Sequence, residues 1–128
     1  MTLLLDTCTF LWILAEPRKL SANAAQIFND PANRCLVSVV SEWEVAIQAS
    51  LGRLQIGQPV EALLPAKRLQ HGIELLDLTE SAALYVPKLP RIHRDPFDRM
   101  LICQAITEGI PLLTPDRFIS QYPVTTLW

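Results

Sequence analysis

The chain alternates short, wholly apolar runs with longer stretches in which apolar residues return every three or four positions. The first kind reads as strands buried on both faces, the second as helices packed against them. Thr2–Leu5 is the first strand, and a helix follows over about Thr7–Ala15, ending before Pro17, which disfavours helical backbone at the residue ahead of it. Ser21 is placed to cap a helix reaching about Phe28, and Asp30-Pro31 closes it. Cys35–Ser38 is the second strand. Ser41 reads as the cap of a helix to about Leu51, with Glu44 three residues on as in a capping box and Gly52 at the far end. A helix over Val60–Gln70 ends at His71-Gly72, Ile73–Leu78 is the third strand, and Thr79 caps a helix to about Val86. A loop from Pro87 to Pro96 leads into a long helix ending at Glu108, with Gly109 as its stop. Leu112–Thr114 is the fourth strand and Val124–Thr126 a short edge strand.

Strands that alternate with helices predict an α/β fold around a parallel sheet. Such sheets bind ligands beyond the carboxyl ends of their strands. Asp6 directly follows the first strand, Asp116 follows the fourth by two residues, and Ser38 and Ser41 flank the end of the second. Polar groups from distant parts of the chain are therefore expected at one sheet edge.

Composition narrows this picture. A length of 128 residues, half of them apolar, suits one domain over residues 1–128 with a core that needs neither disulfides nor a structural metal. No basic leader precedes the first apolar run, which Asp6 interrupts, and no run is long enough to span a membrane. Cys8, Cys35 and Cys103 form no paired spacing, so reduced thiols and a cytoplasmic location are expected, with a reactive Cys8 the lesser reading. The net charge of −2 argues against a wholly basic nucleic-acid-binding surface. Lys88, Arg91, Arg94 and Arg99 nevertheless cluster around His93 in one short stretch.

Each acidic candidate has a plain structural alternative. Asp6 can cap the helix beginning at Thr7. Glu44 shares a row with Ile47 and Leu51, yet Glu42 lies close to Val45 and Ala46, and periodicity does not separate the two. Either can simply favour the positive end of a helix. Asp95, just before Pro96, is placed as an N-cap, whereas Asp98 lies on the row of Leu101 and Ile102, an unusual position for a charge. Asp116 after Pro115 can be a turn residue. Together, carboxylates converging on one crevice repel one another and call for a divalent cation. Oxygen ligands alone select Mg²⁺ or Mn²⁺ rather than zinc.

The ordered segments Asp6-Thr7-Cys8 with Leu11-Trp12, Ser41-x-Trp43-Glu44-Val45-Ala46-Ile47, His93-Arg94-Asp95-Pro96-Phe97-Asp98-Arg99, Thr114-Pro115-Asp116 and Leu127-Trp128 resemble the PIN-domain family, and within it the VapC-type toxins of toxin–antitoxin pairs. The resemblance implies a PIN-like three-layer α/β/α sandwich with a central parallel sheet. It also implies Mg²⁺- or Mn²⁺-dependent endoribonuclease activity on an RNA substrate, a cognate antitoxin and a homodimer, with no membrane partner. It puts the catalytic, metal-holding acids at Asp6, Glu44, Asp98 and Asp116, choosing Glu44 over Glu42. Asp95 and Thr114 are supporting residues, and Arg94 and Arg99 are phosphate contacts or, alternatively, a solvated rim or a salt bridge to Asp95. Many relatives carry His at the position of Cys8, and Pro115 departs from the family's pattern. Phe10, Leu11, Trp12 and Leu14 exceed what one buried helix face needs, which suggests core or a dimer or antitoxin groove. A receiver-like phosphoacceptor module is a competing reading, but Pro115-Asp116-Arg117 stands where its lysine belongs. A PIN-like binding module without catalysis predicts missing acids, and all four are present.

Overall fold

Successive side chains of a strand point to opposite faces of its sheet, and this period explains the two cores of the molecule. The computed structural model describes residues 1–128. Strands β1 (Thr2–Leu5), β2 (Arg34–Ser38), β3 (Glu74–Leu76), β4 (Leu112–Leu113) and β5 (Thr126–Leu127) pair in parallel, in the order β3-β2-β1-β4-β5. Leu4, Leu36 and Leu112 face one core, and Leu3, Leu5, Cys35, Val37 and Leu113 face the other. The register matches this division, with Leu3 beside Cys35, Leu4 beside Leu36 and Leu5 beside Val37.

Helices cover both faces. On the Leu4 side lie α5 (Glu80–Ala83) and α6 (Pro96–Glu108), packed through Ala82, Leu101, Ile102 and Ala105. On the Leu3 side lie α1 (Thr7–Ala15), α2 (Ala22–Asn29) and α4 (Val60–Gln70), through Phe10, Ile13, Ala24 and Leu64. Helix α3 (Val39–Ser50) reaches both cores, with Val40 in the first and Val45 in the second. The result is the expected three-layer α/β/α sandwich. The three leucines of β1 are fully buried, each contributing roughly 1.5–3 kcal/mol by burial. No helix is long and apolar enough to cross a membrane.

Several local expectations need correction. Ser38, not Ser41, caps α3, its hydroxyl accepting from Val40 N at 2.9 Å. Ser41 is buried inside the first turn, where its oxygen accepts from the Thr7 hydroxyl. The row of Glu44 does not run into the core, because Leu51 is exposed. Strand β3 is shorter than Ile73–Leu78, and α5 stops at Ala83 before a 3₁₀ turn over Val86–Lys88. Pro87 lacks the N–H that would extend α5. The edge strand is shifted to Thr126–Leu127. At the end of α6, Gly109 adopts φ 68°, a left-handed conformation that glycine enters without steric cost.

Strand order fixes where ligands can sit. The chain runs outward from β1 through β2 to β3 and returns on the other side of β1 as β4. The sheet therefore changes direction between β1 and β4, the place where a crevice opens beyond the strand ends.

Candidate active site

Asp6 leaves β1 at that crevice, its N–H donating to Leu113 O of β4 at 3.3 Å. It is buried and caps α1, with Oδ1 accepting from Thr9 N at 2.8 Å and from the Cys8 thiol at 3.3 Å. Oδ2 accepts from the Thr114 hydroxyl just past β4. The capping and site readings of Asp6 are thus compatible in one side chain. Thr114 is a hub, because its hydroxyl oxygen also accepts from Asp116 N at 3.1 Å. Thr114→Val keeps the shape but strips a buried carboxylate of a donor. It should destabilise the fold by about 1–3 kcal/mol, read by denaturant titration with an unchanged slope.

Helix α6 brings the next acids. Asp95 is its N-cap, with Oδ1 accepting from Phe97 N at 2.9 Å and from Asp98 N at 3.5 Å. One turn in, Asp98 points into the crevice. Burial, reinforced by the negative charges of Asp95, Asp6, Glu44 and Asp116, pushes its carboxyl up to about 7. Glu44 on α3 is raised as well, first by burial and then by Asp95 and Asp6, with the Thr7 hydroxyl working in the other direction. Its Oε1 is buried and has no hydrogen-bond partner. Glu42 points elsewhere, 3.3 Å from Arg68 Nε of α4.

The four acids thus act on Asp98 together, but they do not form one tight group. Ligand atoms that all lie within 4.8 Å of one another come from His93, Asp98 and Asp116. His93 Nε2 stands 3.3 Å from Asp98 Oδ2 and 3.6 Å from Asp116 Oδ2. Asp116 is held in a turn, its Oδ1 accepting from Phe118 N at 2.8 Å. In the sequence His93 stands out only within its motif and among the basic residues. Its position just ahead of the Asp-Pro cap was the available signal, but no helical period links a loop residue to Asp98.

The arginines separate. Arg94 is exposed. Arg99 makes no salt bridge to Asp95; its Nη1 donates to Pro90 O at 2.9 Å and to the Tyr122 hydroxyl at 3.2 Å. With Arg91, Ile92 and His93 they line a polar cavity of about 620 Å³ that shares His93 with the acid group. A reactive Cys8 is ruled against, since burial and then Asp6 push its thiol well above the usual range.

The PIN domain profile matches residues 3–124. The chain belongs to the PIN-domain family. Ribonuclease VapC22 of Mycobacterium tuberculosis (strain ATCC 25618 / H37Rv) is 33% identical to this PIN-domain chain over 129 residues, covering 97% of each. Among solved structures, VapBC2 from Rickettsia felis, bound to a DNA fragment from its promoter, superposes with a TM-score of 0.73 at 16% identity. The match covers 99% of this chain and 98% of that one. DNA-bound VapBC from Salmonella typhimurium gives 0.72 at 18% identity, over 99% and 97%. At such identities these likenesses concern the fold, and they agree with the parallel-sheet sandwich described above.

Proposed function

We propose that this PIN-domain chain is a metal-dependent endoribonuclease of the VapC type, acting in the cytoplasm and neutralised by a cognate antitoxin. One observation carries the reading: Asp98 is half-buried at the switch point of the sheet, where Asp6, Glu44, Asp95 and Asp116 all bear on it. Such a cluster is costly without a cation. The residues fit one, since the donors are carboxylate oxygens and the buried Glu44 Oε1 has no protein partner. Asp6, Glu44, Asp98 and Asp116 are the proposed holders of Mg²⁺ or Mn²⁺, with Asp95 and Thr114 in support. When bound, the ion supplies Lewis acidity at the phosphodiester and water of lowered pKa. The similarity to Ribonuclease VapC22 over nearly the whole chain supports RNA as the substrate.

The protein's own groups supply position and charge. Thr114 orients Asp6 by donating to its Oδ2, and the Asp95 cap fixes the first turn of α6 and with it Asp98. Arg94, exposed at the rim, is the freer phosphate contact; Arg99 keeps Nη1 on Pro90 and Tyr122 and offers at most its other nitrogens. A proton on Asp98 competes with the cation. Mg²⁺ affinity should therefore rise about tenfold per pH unit below about 7 and level off above it, as calorimetric titrations from pH 6 to 8 can show.

The partner reading moves with the structure. Phe10 is core, but Leu11, Trp12 and Leu14 line an apolar groove of about 560 Å³ with Leu54, Ile56 and Leu63. This groove supports an antitoxin segment or a second copy of the chain as occupant. Light scattering of the isolated chain tests the homodimer.

The deciding experiment mixes the purified chain with structured and unstructured RNA, first in EDTA and then with Mg²⁺ or Mn²⁺. Endonucleolytic fragments that appear only with the cation are expected. A folded chain that binds the cation and cuts none of these RNAs would contradict the ribonuclease reading.

A further inference from the structure

His93, Asp98 and Asp116 look at first like a histidine–carboxylate metal triad. The hydrogen bond on the far side of the imidazole argues otherwise. Asp95 N–H donates to His93 Nδ1 at 3.0 Å, so Nδ1 carries a lone pair rather than a proton. The neutral ring then bears its proton on Nε2, the atom that faces Asp98 and Asp116. A protonated nitrogen has no lone pair to give a metal.

The loop that carries His93 is fastened at one atom. The hydroxyl oxygen of Tyr122 accepts from His93 N at 2.6 Å, Ile92 N at 3.3 Å and Arg99 Nη1 at 3.2 Å. The same Arg99 nitrogen also donates to Pro90 O at 2.9 Å. Tyr122 is itself buried, with its ring in the core that contains Leu101 and Ile102 of α6. A rigid ring rooted in the core thus ties three donors to one oxygen, next to the start of α6. Removing that oxygen would leave two backbone N–H groups of the loop without their partner.

We propose that Tyr122 is a positioning residue whose hydroxyl fixes the loop Pro90–Asp95, so that His93 turns Nε2–H toward Asp98 and Asp116 and stays outside the ligand set of the metal. The proposal rests on the metal-site reading above. In it, His93 orients two of the carboxylates that hold the cation, and Tyr122 orients His93. Groups that act behind ligands in this way are typically worth 10–100-fold in metal affinity.

Two measurements test this, and neither uses RNA. The first is nitrogen-detected NMR of the imidazole in the intact chain, without and with Mg²⁺. His93 is expected to show the Nε2–H tautomer in both states. Loss of the Nε2 proton on adding Mg²⁺, or an Nδ1–H tautomer without it, would overturn the proposal. The second is calorimetric Mg²⁺ titration of Tyr122→Phe, with Tyr85→Phe as control. Tyr122→Phe is expected to weaken Mg²⁺ binding about tenfold and to mix the His93 tautomers. Tyr85→Phe, whose ring lies beside Lys88, is expected to change neither. A folded Tyr122→Phe that is less heat-stable but keeps its Mg²⁺ affinity and the single tautomer would make Tyr122 purely structural and overturn the proposal. Should that variant fail to fold, the tautomer of the unaltered chain still decides the role of His93. A chain that keeps these signatures but cuts no RNA would sink the ribonuclease reading and leave this one standing.

Discussion

Asp98→Asn is expected to lower Mg²⁺-dependent RNA cleavage by about a thousandfold, roughly 4 kcal/mol of transition-state stabilisation. The amide is nearly isosteric but supplies one neutral oxygen where a carboxylate supplied charge. Loss of the cation removes the neutralisation on which the other acids depend. The same variant should be more stable than the parent when metal is absent. The carboxyl of Asp98 is raised to about 7 by burial and by its acidic neighbours. A raised carboxyl favours the fold while it holds its proton, fully so below the unfolded carboxylate value of about 4. That contribution is lost as pH rises through about 7, where the half-buried group must ionise. Above pH 7 in EDTA the amide escapes this cost, and the midpoint of thermal unfolding should rise. Each kcal/mol of relief moves it by about 4 °C in a domain of this size. Lower activity with higher metal-free stability marks a site residue rather than a structural one. Lost activity together with lost stability would assign Asp98 to the core.

Phe10→Ala should do the opposite. Phe10 lies on α1 four residues after Asp6, is fully buried, and packs in the core that holds Leu3, Leu5, Val37 and Leu113. Its truncation removes about 3–5 kcal/mol through lost burial and the cavity left behind. Total stabilities of natural domains are only about 5–15 kcal/mol, so the unfolding midpoint in urea should fall steeply. Mg²⁺ affinity of the folded fraction should stay within a few-fold, because the Phe10 side chain packs in the core and its backbone bond to Asp6 O at 3.0 Å survives the truncation. A large loss of affinity in still-folded protein would show that the α1 core, and not only its Asp6 cap, shapes the site.

The two cores were legible because they follow from period. Leu3-Leu4-Leu5 and Cys35-Leu36-Val37 are apolar at every position, which suits strands covered on both faces, and the fold divides them between the cores as the pleat requires. Caps with one clear candidate were equally readable: Ser21 accepts from Ala24 N and Thr79 from Ala82 N. The start of α3 was not, since Ser38 and Ser41 are both good caps in sequence. Ser41 hydrogen-bonds Thr7 across a contact between helices that no local rule shows. The acids Asp6, Asp98 and Asp116 were placed by strand ends and helix rows, but Glu44 was separated from Glu42 only by resemblance. The structure separates them by charge, since Arg68 stands 3.3 Å from Glu42 while the buried Glu44 Oε1 has no partner and no cationic side chain beside it. His93, Tyr122 and the anchoring role of Arg99 were hidden for one reason. Their contacts join a loop, a helix start and a segment near the C-terminus, and hydrophobic pattern carries no information about such meetings.

The most direct test of the central claim, that these acids line a divalent-ion site, is paramagnetic mapping with Mn²⁺. Small amounts of Mn²⁺ added to the isotopically labelled chain should broaden the backbone amide signals of Asp6, Glu44, Asp98 and Asp116 first. Excess Mg²⁺ should restore them, while amides in the groove at Leu14 and Leu63 broaden least. Broadening centred on any other part of the surface, or spread evenly along the chain, would contradict the account.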